Sequence, residues 1–472
     1  MATSASVSDN NPAQRLASKE PCVIVGHSID AITTATVMVS LGNSVYLYAD
    51  TKQLQHTLEN YSFEHQQQAL WQLYLSQDNL KVLPMPAEAG DLFSQMDNKK
   101  FQANNHVSAA SQQQCQPSLY WLFYSDFPTS WCQADVVTQA GTQPWVSALN
   151  DSQIATQTPI ILSGISTLGV FADIANQCRR PWVYYVPFVF LQDGRAYPSM
   201  LSPKLWLMGE KTADSVDKVA LLQPLIAQAQ DSYISDIATI EFARSAIMSM
   251  LATRVSFMNE WSRLADQQGV DILEVADIMG LDSRIGSSYL KAGWGFGGQT
   301  LPAEIKALQQ TLEHTQVEHR LMQAVNVIND DQKELIFRKF WQYFDGAIEQ
   351  KQVTIWGASY KSGSGRTSSA AIHPLLRLLW SYDITTYVYA LEAESELASL
   401  YPEQPLLQFI DQATATLADS DALFVLSWPE TKRLPIGAIN EVVVPVFDAQ
   451  NAFSNAQVQS LQGEYQGIGR RN

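Results

Sequence analysis

Hydrophobic positions first gather at Cys22-Val23-Ile24-Val25-Gly26, an apolar run of strand length that ends in glycine. A helical stretch follows to Leu41, closed by Gly42-Asn43, and Val45-Tyr46-Leu47-Tyr48 reads as a second strand. Strand, helix and strand within about thirty residues predict a βαβ unit and a parallel sheet. Further strand-like runs lie at Leu119–Tyr124, Pro159–Leu162, Trp182–Val186 and Leu205–Met208. Between them, Gln95 to Gln116 is rich in Gln, Asn and Ser and reads as a surface excursion.

The period then changes. From Leu225 to Val270 there is no proline, and Gly269 is the only glycine. Ile240, Ala243, Ile247, Met250, Leu251, Val255 and Met258 recur at steps of three and four, which predicts one apolar face of a long helix. A second helical stretch is expected from Glu304 to Tyr343. The α/β pattern restarts at Val353-Thr354-Ile355-Trp356-Gly357, with a helix at Leu375–Trp380 and strands at Ile384–Tyr389, Leu423–Leu426 and Val442–Phe447. The fold class expected is therefore α/β, with two Rossmann-like parallel-sheet domains joined by a central all-helical domain. The boundaries read from the pattern are a disordered polar tail over 1–20, an N-terminal domain over 21–225, a helical domain over 226–345 and a C-terminal domain over 346–472.

Composition narrows the partners. The 472 residues carry a net charge of −17, which opposes binding to nucleic acid and to anionic lipid. No apolar run approaches the roughly 20 residues a bilayer span needs, and the first twenty residues lack the apolar core of a signal peptide. Four cysteines without a C-x-x-C pair indicate neither a zinc ribbon nor a redox pair. A soluble cytoplasmic protein, with no nucleic-acid or membrane partner and no metal, is the expectation.

Candidate chemistry begins at the turn after the first strand, Gly26-His27-Ser28-Ile29-Asp30-Ala31. Against the dinucleotide fingerprint G-x-G-x-x-G this is G-x-S-x-x-A. Gly26 makes the tight turn, and Ser28 adds a side chain where the pyrophosphate should come closest. Ala31 is a small third residue. The acid expected at the end of the second strand to grip the ribose is displaced by one place, to Asp50 after Ala49.

Three further stretches carry a resemblance. They are Leu251-Ala252-Thr253-Arg254-Val255-Ser256-Phe257-Met258-Asn259-Glu260, Gly280-Leu281-Asp282-Ser283-Arg284-Ile285-Gly286 and Ala292-Gly293-Trp294-Gly295-Phe296-Gly297-Gly298. In this order and spacing the chain resembles the UDP-glucose/GDP-mannose (nucleotide-sugar) dehydrogenase family. That resemblance implies oxidation of a sugar's primary alcohol by two hydride transfers to NAD, a cysteine that traps the aldehyde, and a lysine and asparagine that clamp the oxyanion. It also implies a homodimer, packed through the long helix, and a role in polysaccharide biosynthesis.

Carried over residue by residue, the family's cysteine falls on Thr300, its helix lysine on Arg244, its asparagine on Met248 and its aspartate on Glu304. Phe190-Leu191-Gln192-Asp193-Gly194 resembles F-L-R-E-G, placing Asp193 at a carboxylate near the sugar, and Val189 falls on another carboxylate position. Thr167, in Ser166-Thr167-Leu168, falls on a cofactor contact. For the nucleotide sugar, the resemblance marks Tyr289, Phe296, Gly297, Lys361 in Gly357-Ala358-Ser359-Tyr360-Lys361, and Gln450 where the family has arginine. Two readings follow. One is an NAD-dependent nucleotide-sugar dehydrogenase with altered chemistry. The other is an inactive family member that binds a nucleotide sugar, NAD or a partner enzyme. A threonine hydroxyl needs a neighbouring base to act as a nucleophile, and Met248 donates no hydrogen bond, which favours the second. The retained Gly-rich segment, Lys361 and Glu304 favour the first.

Overall fold

A computed structural model describes residues 21–61, 63–98, 101–102, 114–132, 142–189, 191 and 194–470. The expected tail over 1–20, most of the Gln-rich excursion, and Asp193 lie outside these residues.

The opening βαβ unit forms as its pattern predicts. Strand β1 (Pro21–Val25) is wholly buried, and the helix Ile29–Ser40 returns the chain to β2 (Ser44–Ala49), which pairs parallel to β1. Cys22 and Ile24 enter the core on one face of the sheet, Val23 and Val25 the core on the other. A strand buried on both faces has to be apolar throughout, which is why this segment is a run rather than an alternation. Burial also pushes the Cys22 thiol far up from its ordinary range, so it packs as a small hydrophobe.

The first sheet continues through β3 (Leu80–Pro84), which the sequence pattern did not reveal, and a two-residue antiparallel ladder of β4 (Phe101–Gln102) with β5 (Gln114–Cys115) stands apart from it. Then come β6 (Leu119–Phe123), β7 (Ile160–Ser163), β8 (Val183–Tyr185), β9 (Leu205–Glu210) and β10 (Asp231–Asp236). The order is β3-β2-β1-β6-β7-β8-β9-β10. The first six strands run parallel in the dinucleotide-binding arrangement, and β9 and β10 run against them. Connectivity reverses between β1 and β6, so the crevice in which such folds take ligands opens at the carboxyl ends of those two strands.

Strand β10 corrects one expectation. The sheet runs past the boundary placed at 225, because Ser232-Tyr233-Ile234 pairs with β9 instead of joining the helix. The long helix starts only at Ile237, where Asp236 caps it by accepting from the Thr239 N–H, and it ends at Gln268 before left-handed Gly269. The second helical stretch is likewise two helices, Thr300–Thr315 and Arg320–Tyr343, separated where Gln316 takes φ of 55°.

The long helix has an unusual distribution of polarity. Its buried positions include Glu241, Arg244, Ser245, Ser256, Asn259 and Ser262, while Phe242, Met250, Phe257, Trp261 and Leu264 are exposed. The row of apolar positions expected to face the core is thus split. Ile240 and Met258 are buried, and Met250 faces outward.

The C-terminal sheet, β11 (Gln352–Trp356), β12 (Thr385–Tyr389), β13 (Leu407–Phe409), β14 (Ala422–Val425), β15 (Val446–Asp448) and β16 (Tyr465–Gly467), is all parallel in the order β13-β12-β11-β14-β15-β16. It repeats the topology of the first six strands of the N-terminal sheet. The run Val442–Phe447 is not one strand. Val442 ends the helix Ile436–Val442, Val443 takes φ of 55°, and the strand begins at Val446.

Candidate active site

The β1–helix turn is closed on itself. The Asp126 carboxylate, carried on the 3-10 turn Tyr124–Asp126 after β6, accepts from the N–H groups of His27 and Ser28, both at 2.9 Å through Oδ2. A Cβ on Gly26 would lie 2.6 Å from the same oxygen, so the bare α-carbon makes room for this carboxylate. Ser28 turns its hydroxyl inward as the helix cap, accepting from the Ala31 N–H at 3.4 Å, and Ala31 is buried. Asp50 is occupied too: its Oδ1 accepts from Lys52 N–H at 2.9 Å and Gln53 N–H at 3.0 Å as the cap of the next helix. Thr167 is half-buried, in a loop held to the Thr300–Thr315 helix by the Leu168 N–H, which donates to Thr311 Oγ1 at 3.0 Å. The His27 and Ser28 N–H groups of this cradle are thus already paired with a protein carboxylate.

Of the positions at which the resemblance expects catalytic residues, the fold brings Arg244 and Glu304 into contact. Arg244 Nε donates to Glu304 Oε2 at 2.8 Å, and Ser245 Oγ donates to Oε1 at 2.7 Å. The two charged side chains are 5% and 2% exposed. Burial alone would lower the Arg244 pKa, but the Tyr185 hydroxyl and the Glu304 carboxylate beside it drive it upward overall. Glu241, one turn earlier on the long helix, accepts from the N–H groups of Phe171 and Ala172, each at 3.0 Å. Burial lifts its carboxyl to about 7 despite those donors. Between these groups lies a cavity of about 10 Å³, lined also by Ser166 and Tyr185, which is the space of a single water.

Met248 is buried one turn along from Arg244. Thr300 opens the next helix, one turn before Glu304, and is exposed rather than part of the cavity lining. Sequence spacing placed Thr300 and Glu304 near each other. It did not show that the carboxylate points into the protein and the hydroxyl away from it.

The Gly-rich segment is clamped by carboxamides. Asn329 Oδ1 accepts from the Phe296 N–H at 2.7 Å and its Nδ2 donates to the Phe296 carbonyl at 3.2 Å. Asn259 Oδ1 accepts from the Gly293 N–H at 2.9 Å, and Gln332 Nε2 donates to the Gly293 carbonyl at 2.8 Å. Gly297 and Gly298 lie under Tyr360 of the C-terminal domain. A Cβ on Gly297 would meet Tyr360 Cβ and the Ser369 carbonyl, each at 2.9 Å, and one on Gly298, whose φ is +83°, would strike the Tyr360 ring at 2.7 Å. Lys361 follows Tyr360, and its ammonium is exposed with no hydrogen bond or ion pair to any described residue. Arg366 stacks over the Tyr61 ring, 5.6 Å from its centroid. Gln450 faces inward, bonded to both the N–H and the carbonyl of Trp428 at 2.6 and 3.2 Å. Tyr289 sits in the left-handed region with φ of 59° and is 49% exposed.

The family model for the UDP-glucose/GDP-mannose dehydrogenase family, central domain, matches residues 238–331, which hold the long helix, the clamped loop and the pair Arg244–Glu304. Over those residues the chain carries the central domain of the UDP-glucose/GDP-mannose dehydrogenase family. The UDP-glucose 6-dehydrogenase of Pseudomonas aeruginosa is 29% identical over 288 residues, 60% of this chain and 64% of that one. That of Rickettsia bellii is 29% identical over 290 residues, 60% of this chain and 66% of the relative. The matched part is thus less than two-thirds of either relative. In fold the likeness extends further. A UDP-glucose dehydrogenase from Pyrobaculum islandicum superposes with a TM-score of 0.73 at 17% identity, covering 97% of this chain and 99% of that one. A UDP-D-ManNAc dehydrogenase from Pyrococcus horikoshii gives 0.68 at 15%, covering 95% and 99%.

Asp126, Glu241, Ser245, Asn329 and Gln332 are site residues that sequence reasoning did not single out. Each is polar and lies in or beside a helix or turn, where an exposed position was the ordinary expectation. A signal for two of them existed: Asn329 and Gln332 continue the row of Met322, Val325, Ile336 and Phe340 on their helix.

Proposed function

We propose that this chain is a nucleotide-sugar-binding member of the family that does not carry out the NAD-dependent oxidation of its ligand. The observation that carries this reading is the closed triad of Arg244, Glu304 and Ser245, with Thr300 outside it. Conversion of an alcohol to an acid through an enzyme-bound aldehyde needs a nucleophile with a base in reach. Here Glu304 already has a partner at each oxygen, Arg244 is committed to Glu304, and Met248 has no proton to donate. Removal of one oxyanion donor alone commonly costs about a hundred- to a thousand-fold in rate.

Binding rather than turnover is supported by the exposed Lys361 ammonium beside the junction of Gly298 and Tyr360. A cation there suits the diphosphate of a UDP-sugar, the ligand class in the names of the relatives. The exposed apolar residues of the long helix support pairing with a second copy, since a contiguous apolar surface on a soluble chain marks an interaction face.

The test is NADH formation by concentrated protein with NAD and a panel of UDP- and GDP-sugars, beside a Thr300→Cys variant, with calorimetry of UDP-glucose binding in parallel. Neither protein is expected to form NADH, while UDP-glucose binds and Lys361→Glu weakens it. Steady turnover by the unsubstituted chain would sink the reading.

A further inference from the structure

We propose that the anion bound by the β1–helix loop is the protein's own Asp126 carboxylate, and that the N-terminal Rossmann-like domain is thereby shut to NAD(H). The inference deepens the non-oxidising reading but stands on different residues, none of them in the Arg244–Glu304 triad.

Three contacts close the crevice at the strand ends. Asp126 ties the end of β6 to the turn after β1 through the His27 and Ser28 N–H groups. Next to it, Ser125 Oγ accepts from the Ile165 N–H at 2.9 Å, tying β6 to the turn after β7. A Cβ on Gly164 would lie 2.8 Å from that same Ser125 oxygen, so this glycine too makes room for a protein side chain. The carboxyl ends of β1, β6 and β7 are therefore stitched across the point where connectivity reverses, which is where a dinucleotide would have to pass.

The turn is held from behind by aromatic packing. Phe127 lies edge-on to Trp131 and Trp145, with ring centroids 5.1 and 5.4 Å away, so Asp126 is not on a free arm. It is 8% exposed. Successive backbone N–H groups at a helix start form a nest that accepts one anion, and here the nest is filled intramolecularly. Asp30, in the first turn of the same helix, adds a second negative charge beside the nest, within electrostatic reach of the Arg244 guanidinium. Asp50, displaced by one residue from the ribose-gripping place, spends its carboxylate on its own helix cap.

The experiment is NADH binding to the full-length protein, read by energy transfer from its tryptophans, for the unsubstituted chain, Asp126→Ala and Asp126→Asn. The unsubstituted chain is expected to show no saturation at about millimolar NADH, the upper end of ordinary substrate affinities. Asp126→Ala empties the nest and removes the charge, and its affinity for NADH should rise by at least about tenfold. Its melting temperature, lowered by two uncovered N–H groups, should be raised by inorganic pyrophosphate, whereas that of the unsubstituted chain should not respond. Asp126→Asn keeps an acceptor in the nest, guards against loss of folding, and should remain closed to NADH. Saturable NADH binding by the unsubstituted chain overturns the proposal, as does an Asp126→Ala variant that folds yet gains affinity for neither NADH nor pyrophosphate. NADH binding without turnover would overturn this inference alone. Turnover by the unsubstituted chain would overturn the non-oxidising reading as well.

Discussion

Replacing Arg244 with methionine should destabilise the protein severely, and the size of the loss decides whether the triad of Arg244, Glu304 and Ser245 is closed in solution. The guanidinium and the Glu304 carboxylate are 5% and 2% exposed and 2.8 Å apart. Without Arg244, Glu304 keeps, among the described residues, the neutral Ser245 hydroxyl as its side-chain partner in a place that water hardly reaches. Stranding one member of a buried pair costs about 3–5 kcal/mol, which for a cooperative unit of ordinary domain size lowers the melting temperature by on the order of 10 °C. The pair itself is a weaker source of stability than that loss suggests, because both ions had to be desolvated to form it. The double variant Arg244→Met with Glu304→Leu should therefore recover to within about 1 kcal/mol of the parent, leaving a coupling energy of about 2 kcal/mol or more. Urea unfolding followed by tryptophan fluorescence, with calorimetric melts of the two single variants and the double, measures all of this. A loss below about 1 kcal/mol for Arg244→Met is the behaviour of a solvated surface pair. It would mean that the triad opens in solution and that Arg244 is free to meet a sugar oxyanion.

Three other outcomes follow from the same geometry. Burial raises the Glu241 carboxyl from near 4.5 to about 7, so the folded state holds this proton more tightly than the unfolded chain does. Its contribution is full below about pH 4.5 and is lost as pH rises through 7. Melting temperature should thus decline between pH 5 and 8, by the equivalent of on the order of 3 kcal/mol, and Glu241→Gln should remove most of that slope. Gly298→Ala imposes a side chain on a φ of +83° and drives it 2.7 Å from the Tyr360 ring. A loss of about 1–3 kcal/mol and faster proteolytic release of the C-terminal domain are expected. Trp261, 45% exposed and packed on Phe257 at 5.6 Å between ring centroids, belongs to the proposed dimer face. Trp261→Asp should weaken self-association by at least about tenfold, visible as monomer in sedimentation.

The strands were legible where burial on both faces made them apolar runs, as at Cys22–Val25 and Val353–Trp356. They were illegible where pairing rather than composition made them. Ser232-Tyr233-Ile234 is an edge that pairing with β9 holds extended, and Leu80–Pro84 is fully buried only at Leu80 and carries Lys81 within its apolar run. The long helix defeated the apolar-row reading for a different reason. Its inward face bonds the backbone of other segments, so Asn259 and Ser256 are buried there, while Phe257 and Trp261 are left outward. For the candidate site, spacing located Arg244 and Glu304 on two helices but not their contact. The loop G-x-S-x-x-A pointed to an anion, yet its occupant, Asp126, lies 98 positions from Ser28 along the chain. No local pattern encodes such a pairing.

In the sequence, Phe296-Gly297-Gly298 implies a close approach, either of packed backbone or of a ligand. The approach exists, but the approaching groups are the protein's own: Asn329 over Gly295, Tyr360 over Gly297 and Gly298, and the Ala449 carbonyl over Gly293. The motif can therefore persist on packing alone, and its survival is no argument for turnover. The polar positions tell the same story in the opposite sense. A site built for a ligand keeps donors and acceptors open until the ligand arrives, at a cost of about 1–3 kcal/mol for each buried group left unmet. Here the loop N–H groups have Asp126, Glu304 has Arg244 and Ser245, and Gln450 has the Trp428 backbone. Once those partners are in place, a ligand must break existing bonds before it can make new ones. Lys361 differs, since its ammonium is exposed and has no partner to lose among the described residues, and so binding is expected to survive at the nucleotide-sugar end of the fold while chemistry does not.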